Sequence, residues 1–424
     1  MKSRALRPWA CAALLALSFQ GAHAQNNAEN QLTLQGLIRA ASDFYPAIVA
    51  AKYEAQATQE DVDVAERQRW PTITTTVESN NGNLRSAPSR SVQVDQTLWD
   101  AGRNTARISE ARSGAEIGRL KVAIQQQELS LQIVAAWQNM RAAVQRLQVA
   151  DNALERLKKY QEQMHRRVEA QASSRIDLEL VEARLQQTEV EKASAQSNLV
   201  VALTRLHQLT GELDLHARLH TLEPIPTLRM TLVYTERLNN VAWDDIAIEH
   251  PNVAKARYEL EQAKNRLEAK QAEGWPQLYV RSYQPFGAAP TSSDTSMTTF
   301  LGMRYSPGAG FSNFAEKKAM TTRISAAEQS IQTSLREVMQ NLQNDKEEFV
   351  NARVRIAVLE RSVSSSALVL ESYQRQFESA RKQWLDLLNA VREHTQNQYA
   401  LAEAQAVMVG AMNRLQIRMG QAVR

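Results

Sequence analysis

Apolar and polar residues along the chain follow first a helical period and then a strand period. Between Leu32 and Gln68, apolar side chains recur with the spacing of an amphipathic helix, and Pro46 interrupts the stretch near its start. Residues 71–79 and 91–99 instead alternate between apolar, largely β-branched, and polar side chains. The pattern predicts a helical segment followed by a hairpin of two strands.

The helical period returns at about residue 103 and continues for a great length. Asn104 to Glu169 contains no proline, and a helix of this length would reach roughly 100 Å at about 1.5 Å per residue. A short polar break at residues 170–175 precedes a second helical stretch that ends at Gly211. These residues predict a helical hairpin over about 103–211.

The same succession of elements occurs a second time, at an offset of 205 to 209 residues, so that Pro251 corresponds to Pro46. The second copy predicts strands over about 277–284 and 298–306 and a helical hairpin over about 311–420. Apolar residues at every seventh position indicate a coiled-coil seam in its first long helix: Leu335, Leu342, Phe349, Ile356, Val363, Leu370 and Phe377.

We interpret the chain as a tandem duplication that follows a removable leader. Residues 1–24 are typical of a secretory signal peptide, because basic residues precede an apolar stretch and small residues lie at its end. Residues 25–220 form the first repeat, 221–242 a linker or equatorial segment, and 243–424 the second repeat. The only cysteine, Cys11, lies inside the signal, so the mature chain is expected to contain no thiol or disulfide.

Charge and hydropathy narrow the classes of function. Removal of the signal leaves 47 Lys and Arg residues against 46 Asp and Glu residues, so no nucleic-acid partner is expected. Beyond the signal no stretch approaches the ~20 apolar residues of a membrane-spanning helix. An exported chain of this kind is either periplasmic or inserted in the outer membrane as a β-barrel.

The predicted strands, of roughly nine residues each, have about the length of outer-membrane strands. Four strands cannot close a barrel, since the smallest transmembrane barrels have about eight, so several chains would share one barrel. Two soluble hairpins packed on helices are the alternative interpretation of the same pattern.

The layout resembles the TolC-like outer-membrane factors over essentially the whole mature chain. The likeness is carried by the order, spacing and duplication of short signatures: Leu32-Thr33-Leu34 with Gly36-Leu37-Ile38, Pro46, Trp70-Pro71, Val94 to Gly102, and Leu203 to Gly211. The resemblance implies a mainly α fold with a transmembrane β portion. Each of two tandem repeats would carry long coiled-coil helices and a β-hairpin, and a homotrimer would form a 12-stranded β-barrel continued by an α-helical periplasmic tunnel.

The resemblance also implies partners. Such a channel sits in outer-membrane lipid and docks, through a periplasmic adaptor, with an inner-membrane transporter, for which the ABC type is expected here. No cofactor or metal is implied. The sequence contains no phosphate-binding loop, zinc-protease helix or nucleophile elbow, so the chain is not expected to be an enzyme.

Several positions at the tips of the helical hairpins correspond to adaptor-contacting positions of the family. Arg167 matches a family arginine, although a solvated helical charge is its simpler interpretation. Gln171 and Ala380 stand where the family has glycine, which tolerates positive φ, so the geometry of both turns is in doubt.

The resemblance implies an entrance constriction and a lock. Asp386 and Asn389 match the segment that narrows the periplasmic entrance, where three copies of Asp386 would form an anionic ring, although an ordinary surface aspartate is the alternative. Lys382 stands where related channels hold a locking arginine, and Asp177 matches its acidic partner. We therefore expect a Lys382 to Asp177 contact in the closed state.

The expected function is the exit duct of a tripartite export machine. Tyr373 through Glu393 is most similar to members that serve type I secretion of large adhesins. Efflux of small toxic molecules is the alternative within the same class. A periplasmic coiled-coil scaffold or adaptor that never inserts is the alternative of another class.

Overall fold

The computed structural model describes residues 31–78, 89–286, 296–306 and 309–420. The predicted signal peptide and the loop tips of both strand hairpins lie outside these residues. The helices, in chain order, are α1 Leu34–Phe44, α2 Pro46–Arg67, α3 Arg103–Glu169, α4 Arg175–Thr210, α5 Leu228–Asn239, α6 Trp243–Glu249, α7 Pro251–Ala272, α8 Ser312–Glu378 and α9 Trp384–Arg418. The strands are β1 Thr72–Glu78, β2 Ser89–Trp99, β3 Gln277–Phe286 and β4 Thr298–Arg304.

The prolines set the helix starts near the beginning of each predicted repeat. Pro46 is the first residue of α2, and Pro251 is the first residue of α7, where the missing N–H costs no helical hydrogen bond. The cap before α7 is His250, whose ring nitrogen accepts from the Asn252 N–H at 3.2 Å. The prolines thus separate a short helix from a helix of 22 residues in both places.

The described chain divides into two compact units, and each takes segments from both predicted repeats. The helical unit comprises the described residues within Met1–Tyr45, Gln127–Val241 and Leu342–Arg424. The sheet unit comprises those within Pro46–Gln126 and Ala242–Asn341. The predicted repeats are therefore divisions of the sequence, and the compact units cut across them.

The sheet unit contains one antiparallel sheet in the order β1-β2-β3-β4. Paired residues share a face, and one face, the polar face, includes Thr74, Gln93 and Asp95 of the first hairpin and Arg281 and Arg304 of the second. Arg281 forms two hydrogen bonds to Asp95, from Nε at 2.5 Å and from Nη2 at 3.1 Å. This ion pair joins the two hairpins across the middle of the sheet.

The opposite face of the sheet, the apolar face, is mostly hydrophobic and exposed. Ile73 and Leu301 are each 69% exposed, and Leu301 lies directly opposite Val280. A bulge between Thr97 and Trp99 interrupts the strict alternation that the sequence predicts for β2. The sheet therefore has one polar face and one exposed apolar face. A soluble hairpin packed on helices would bury the apolar face.

The helical unit is held together by apolar seams along its long helices. Of the seven heptad positions predicted in the second repeat, Leu342, Phe349, Ile356, Leu370 and Phe377 are buried, whereas Leu335 and Val363 are half-buried. None of the described helices combines the length and the apolar character that crossing a membrane requires.

The segment predicted as a linker packs within the helical unit. Leu32 forms a parallel bridge with Leu222, and the buried Arg141 donates to the Glu223 carbonyl at 2.9 Å. After Pro226 the chain forms α5, whose Tyr234 ring meets Phe349 edge-on at 5.3 Å. The prolines end the irregular stretch, and the helix beyond them is an element that the sequence did not predict.

Candidate functional site: the ends of the helical hairpins

The ends of α3, α4, α8 and α9 meet in one apolar cluster within the helical unit. It contains residues from all four helices: Leu154, Leu157, Tyr160, Met164, Val181, Leu185, Leu370, Phe377, Trp384, Leu387, Leu388, Ala390 and Val391. The two helical hairpins of the chain are therefore packed against each other at the ends where the predicted entrance residues lie.

One side chain of this cluster contacts the other three helix ends. The Trp384 indole, 5% exposed at the start of α9, donates from Nε1 to the Asp177 carbonyl of α4 at 2.8 Å. Its ring meets Tyr160 of α3 edge-on at 5.8 Å and Phe377 of α8 at 5.0 Å. Trp384 thus ties the first hairpin to the second.

The turns of both hairpins have the same backbone geometry without glycine. Gln171 and Ala380 each have φ of 57°. Across the turns, the Ala172 N–H donates to the Arg167 carbonyl and the Arg381 N–H to the Gln376 carbonyl, both at 2.8 Å. The left-handed turn that glycine favours is retained, although a side chain at positive φ costs about 1–2 kcal/mol.

Asp177 caps its own helix. Ser174 is the N-cap of α4 and accepts from the Ile176 N–H at 3.2 Å, and its own N–H donates to Asp177 Oδ2 at 3.3 Å. This reciprocal arrangement is a capping box. The Asp177 carboxylate therefore has a structural partner within the hairpin.

Asp386 occupies the corresponding position in α9 and has a different partner. The N-cap residue of α9, Gln383, makes no side-chain cap bond, and Lys382 Nζ lies 3.3 Å from Asp386 Oδ2. The Lys382 ammonium also lies 4.4 Å from the centre of the Tyr373 ring. The hydrogen bond to Asp386 raises the pKa of Lys382, so this cation is present throughout the physiological range.

The expected contact between Lys382 and Asp177 is not formed within one subunit. Both residues lie in the described part of the chain, and Lys382 pairs there with Asp386 because the i, i+4 spacing brings the two side chains together. A contact between Lys382 of one subunit and Asp177 of the next stays a prediction. Asn389 and Asp386 are both half-buried, and their i, i+3 spacing places them on one side of α9.

Arg167 is not a free surface charge at the tip. Its guanidinium lies 4.5 Å from the centre of the Phe377 ring, so it contributes a cation–π contact between α3 and α8. Gln171 and Ala380 are exposed at the tips. Arg167 is half-buried, and contact of Arg167, Gln171 and Ala380 with an adaptor stays a prediction.

A buried histidine lies beside the cluster. His394 of α9 is hydrogen-bonded through Nδ1 to Ser366 Oγ of α8 at 3.0 Å, and both side chains are buried. Burial, and then the positive charge of Arg156, lower the pKa of His394. The ring is consequently neutral at pH 7.

The sequence around Trp384 is notable, but nothing in it predicts that Trp384 contacts the other hairpin. In the Trp-Leu-Asp-Leu-Leu-Asn segment the sequence points to the acidic and amide residues, whereas Trp384 makes the contacts between the hairpins. Tyr160 in the apolar cluster and Tyr373 packed against it make contacts that the sequence does not predict. The described residues contain no cluster of three or more His, Cys, Asp or Glu side chains suited to a metal ion.

Comparison with known proteins identifies the fold. Residues 37–212 match the model of the outer membrane efflux protein family. None of the curated protein sequences compared with the chain matches it. Several solved structures match over nearly the whole length.

Two of these structures are described as channels and a third as an outer membrane protein. CusC shares 14% identity, with 91% of each chain covered and a TM-score of 0.78. VceC of Vibrio cholerae shares 15% identity over 91% of this chain and 96% of its own, with a TM-score of 0.77. The open state of the MtrE outer membrane channel of Neisseria gonorrhoeae shares 17% over 92% and 89%, with a TM-score of 0.73.

The sequence identities to these three structures are low, so the structural likeness shows the fold alone. The match to the family model is the evidence from sequence. The match over residues 37–212 makes this part of the chain similar in sequence to the outer membrane efflux protein family, and the fold of the chain is that of TolC-like outer-membrane channels.

Proposed function

We propose that three copies of this chain form a passive exit duct through the outer membrane. The observation that carries the proposal is the exposed apolar face of the four-stranded sheet, backed by a polar face that bears the Asp95–Arg281 ion pair. Lipid requires an apolar exterior, and a water-filled lumen requires a polar interior. A sheet of this kind fits the wall of a pore.

The edges of the sheet support the assembly. Within the described residues, β1 and β4 each pair on one side only, so each leaves a row of backbone donors and acceptors without a strand partner there. Lipid cannot satisfy such groups. Antiparallel pairing of β4 with β1 of the next subunit would close three sheets of four strands into one barrel of 12, the strand number that the family resemblance implies.

Exposed apolar residues on the long helices also support a shared assembly. On α8 they include Val354, Val358 and Leu368, and on α4 Val190 and Val200. A solvated helix face does not need them, whereas neighbouring subunits would bury them. The helical hairpins of three subunits would then line a periplasmic tunnel.

Cysteine cross-linking tests the proposed closure, because Cys11 is the only cysteine in the sequence. We expect Thr75→Cys on β1, combined in turn with Thr299→Cys, Leu301→Cys or Met303→Cys on β4, to give a disulfide-linked trimer in at least one register. The matched control is Val94→Cys with Ser282→Cys, which face each other within one sheet and should cross-link inside the monomer. Only monomeric products from every β1–β4 pair would contradict the proposal.

The duct has no energy source of its own, so we propose a tripartite machine with a periplasmic adaptor and an inner-membrane transporter. We further propose an ABC-type transporter and a large secreted protein as substrate. The support is the likeness of Tyr373 through Glu393 to adhesin-secreting members, together with Asn389 in place of a second entrance acid.

Efflux of small molecules is the second candidate, and the description of the matching family as efflux proteins favours it. Deletion of the gene separates the two candidates. Loss of a large protein from the culture medium with unchanged drug susceptibility supports secretion, and the reverse result supports efflux. A soluble monomer in the periplasmic fraction would instead support the non-inserted scaffold or adaptor.

A further inference from the structure

A cavity of about 330 Å³ lies in the sheet unit, where β3 and β4 adjoin the first turns of α3 and α8. Its lining includes Arg103 and Asn313 at the helix starts, Arg304 at the end of β4, and Lys270 of α7. We refer to it as the junction cavity. The entrance proposed above does not use these residues, and of them only Arg304 also lies on the polar face of the sheet.

The carboxylates that line the junction cavity already have donors. Asp100 accepts the N–H groups of Gly102 at 3.1 Å and Asn104 at 2.9 Å. Glu273 accepts from Lys270 at 2.8 Å and from Arg107 at 3.3 Å. Lys270 also pairs with Glu316, and these two bonds raise the pKa of the lysine.

The arginines of the cavity lack matching acceptors. Within the described residues, the buried Arg103 Nε has no hydrogen-bond partner, and neither Arg103 nor Arg304 forms an ion pair with a carboxylate. The Arg304 guanidinium lies 5.0 Å from the centre of the Tyr279 ring, a contact that leaves its N–H donors free. The cavity therefore contains arginine N–H donors for which the described residues supply no carboxylate partner.

Two further features bear on the ligand. The cavity adjoins the N-termini of both 67-residue helices, whose dipoles favour an anion, and Asp100 already accepts N–H groups at the start of α3. Asn313 is only 7% exposed, and its Oδ1 atom is a buried acceptor with no partner among the described residues. An anion satisfies the arginines, but this amide oxygen requires a donor.

We propose that the junction cavity binds a phosphate group that carries a hydrogen-bond donor, with Arg103 and Arg304 on the phosphate oxygens and Asn313 Oδ1 on the donor. Planar guanidinium groups suit phosphate oxygens. Hydrogenphosphate supplies the donor as P–OH, and an ethanolamine phosphate headgroup supplies it as an ammonium. The cavity would take either the free anion or the headgroup of a membrane phospholipid.

The test is calorimetric titration of inorganic phosphate, at pH 7, into the full-length protein purified in detergent. We expect saturable binding that Arg103→Gln, Arg304→Gln and Asn313→Asp each weaken by about tenfold or more. Arg119→Gln is the matched control, because Arg119 lies on α3 outside the cavity lining and pairs with Glu116 at 2.8 Å. Sulfate carries no proton at pH 7 and should bind more weakly than phosphate.

A lipid arm distinguishes the source of the phosphate. If inorganic phosphate does not bind, native mass spectrometry should find phosphatidylethanolamine retained by the wild type and by Arg119→Gln and lost from the three cavity variants. Circular dichroism and trimer mobility confirm that each variant is folded. Binding of neither ligand, binding unaffected by the cavity substitutions, or equal binding of sulfate would overturn the proposal.

Discussion

The two aspartates at corresponding positions of the hairpins have different partners because the residues three positions before them differ. Ser174 completes a capping box with Asp177, whereas Gln383 makes no side-chain cap, and Asp386 pairs with Lys382. If three copies of Asp386 line an entrance, each brings its own compensating cation. The anionic ring expected from the sequence would then be largely neutralised.

Removing this cation should make the channel more selective for cations. We expect Lys382→Met to shift the reversal potential of planar bilayers in a KCl gradient toward that of potassium, because the Asp386 charge loses its partner. Lys192→Met is the matched control, since Lys192 pairs with Asp151 at 2.7 Å away from the hairpin ends. An unchanged reversal potential would refute a role for Lys382 in setting the charge of the entrance.

The lock between subunits is tested separately. If Lys382 of one subunit contacts Asp177 of the next, Lys382→Ala and Asp177→Ala should both increase single-channel conductance. Asp177→Asn should give a smaller increase, because the amide oxygen can still accept from the Ser174 N–H and preserve part of the cap. Equal conductance of wild type and both alanine variants would exclude the lock.

The turn residues at positive φ can be improved. Ala380→Gly should stabilise the second hairpin by about 0.5–1 kcal/mol, because glycine removes the strain at a φ of 57° but loses some entropy on folding. Ala193→Gly, at an exposed position inside α4, should instead destabilise by a similar amount. Thermal unfolding midpoints measure both, and a lower midpoint for Ala380→Gly would contradict the expectation.

At the scale of elements, the sequence predicted the features that depend on residues close together along the chain. Periodicity located the long helices to within a few residues, and alternation located the strands, since both patterns depend on neighbours along the chain. It missed α5, because Pro224 and Pro226 argue against a continuous helix over residues 221–240, which include α5. It also missed the partners of Trp384, since these lie on other helices and no spacing within α9 specifies them.

The buried pair of His394 and Ser366 should make the helix ends sensitive to acid. The pKa of His394 is lowered from 6.5 in the folded chain, so the unfolded state binds more protons as the pH falls below about 6.5. The neutral His394 ring therefore makes its full contribution to the free energy of unfolding above about pH 6.5. This contribution decreases as the pH falls from there toward the pKa of His394 in the folded chain. Limited proteolysis across pH 7 to 5 should show progressively faster cleavage of the hairpin ends.

His394→Asn supplies the control for this pH dependence. The asparagine amide can occupy the place of Nδ1 beside Ser366 and does not titrate. We expect its cleavage rate to change much less between pH 7 and 5 than that of the wild type. Identical pH profiles for the two proteins would assign the acid sensitivity to other groups.

At the scale of the whole molecule, the two faces of the sheet should respond differently to charge. Leu301→Lys, on the apolar face, should reduce the amount of assembled protein in the outer membrane, since a lysine facing the middle of the bilayer costs roughly 2–4 kcal/mol. Thr298→Lys lies on the same strand but on the polar face and should be tolerated. Equal insertion of both variants would argue against a lipid-facing apolar side.

The predicted repeats and the compact units divide the chain at different residues. Helices α3 and α8 have 67 residues each, and α2 and α7 have 22 residues each; the tandem duplication stays a prediction from the sequence. Each compact unit nevertheless combines segments of both predicted repeats. A truncated protein containing one repeat would lack half of each unit, so we expect neither repeat to fold alone.

Trp384 has a consequence for local unfolding. Because its ring and indole N–H contact three other helices, the ends of α3, α4, α8 and α9 should open as one cooperative unit. Amide hydrogen exchange is expected to give similar opening free energies for Tyr160, Val181, Phe377 and Leu387. Trp384→Ala should divide this unit into two hairpins that exchange independently.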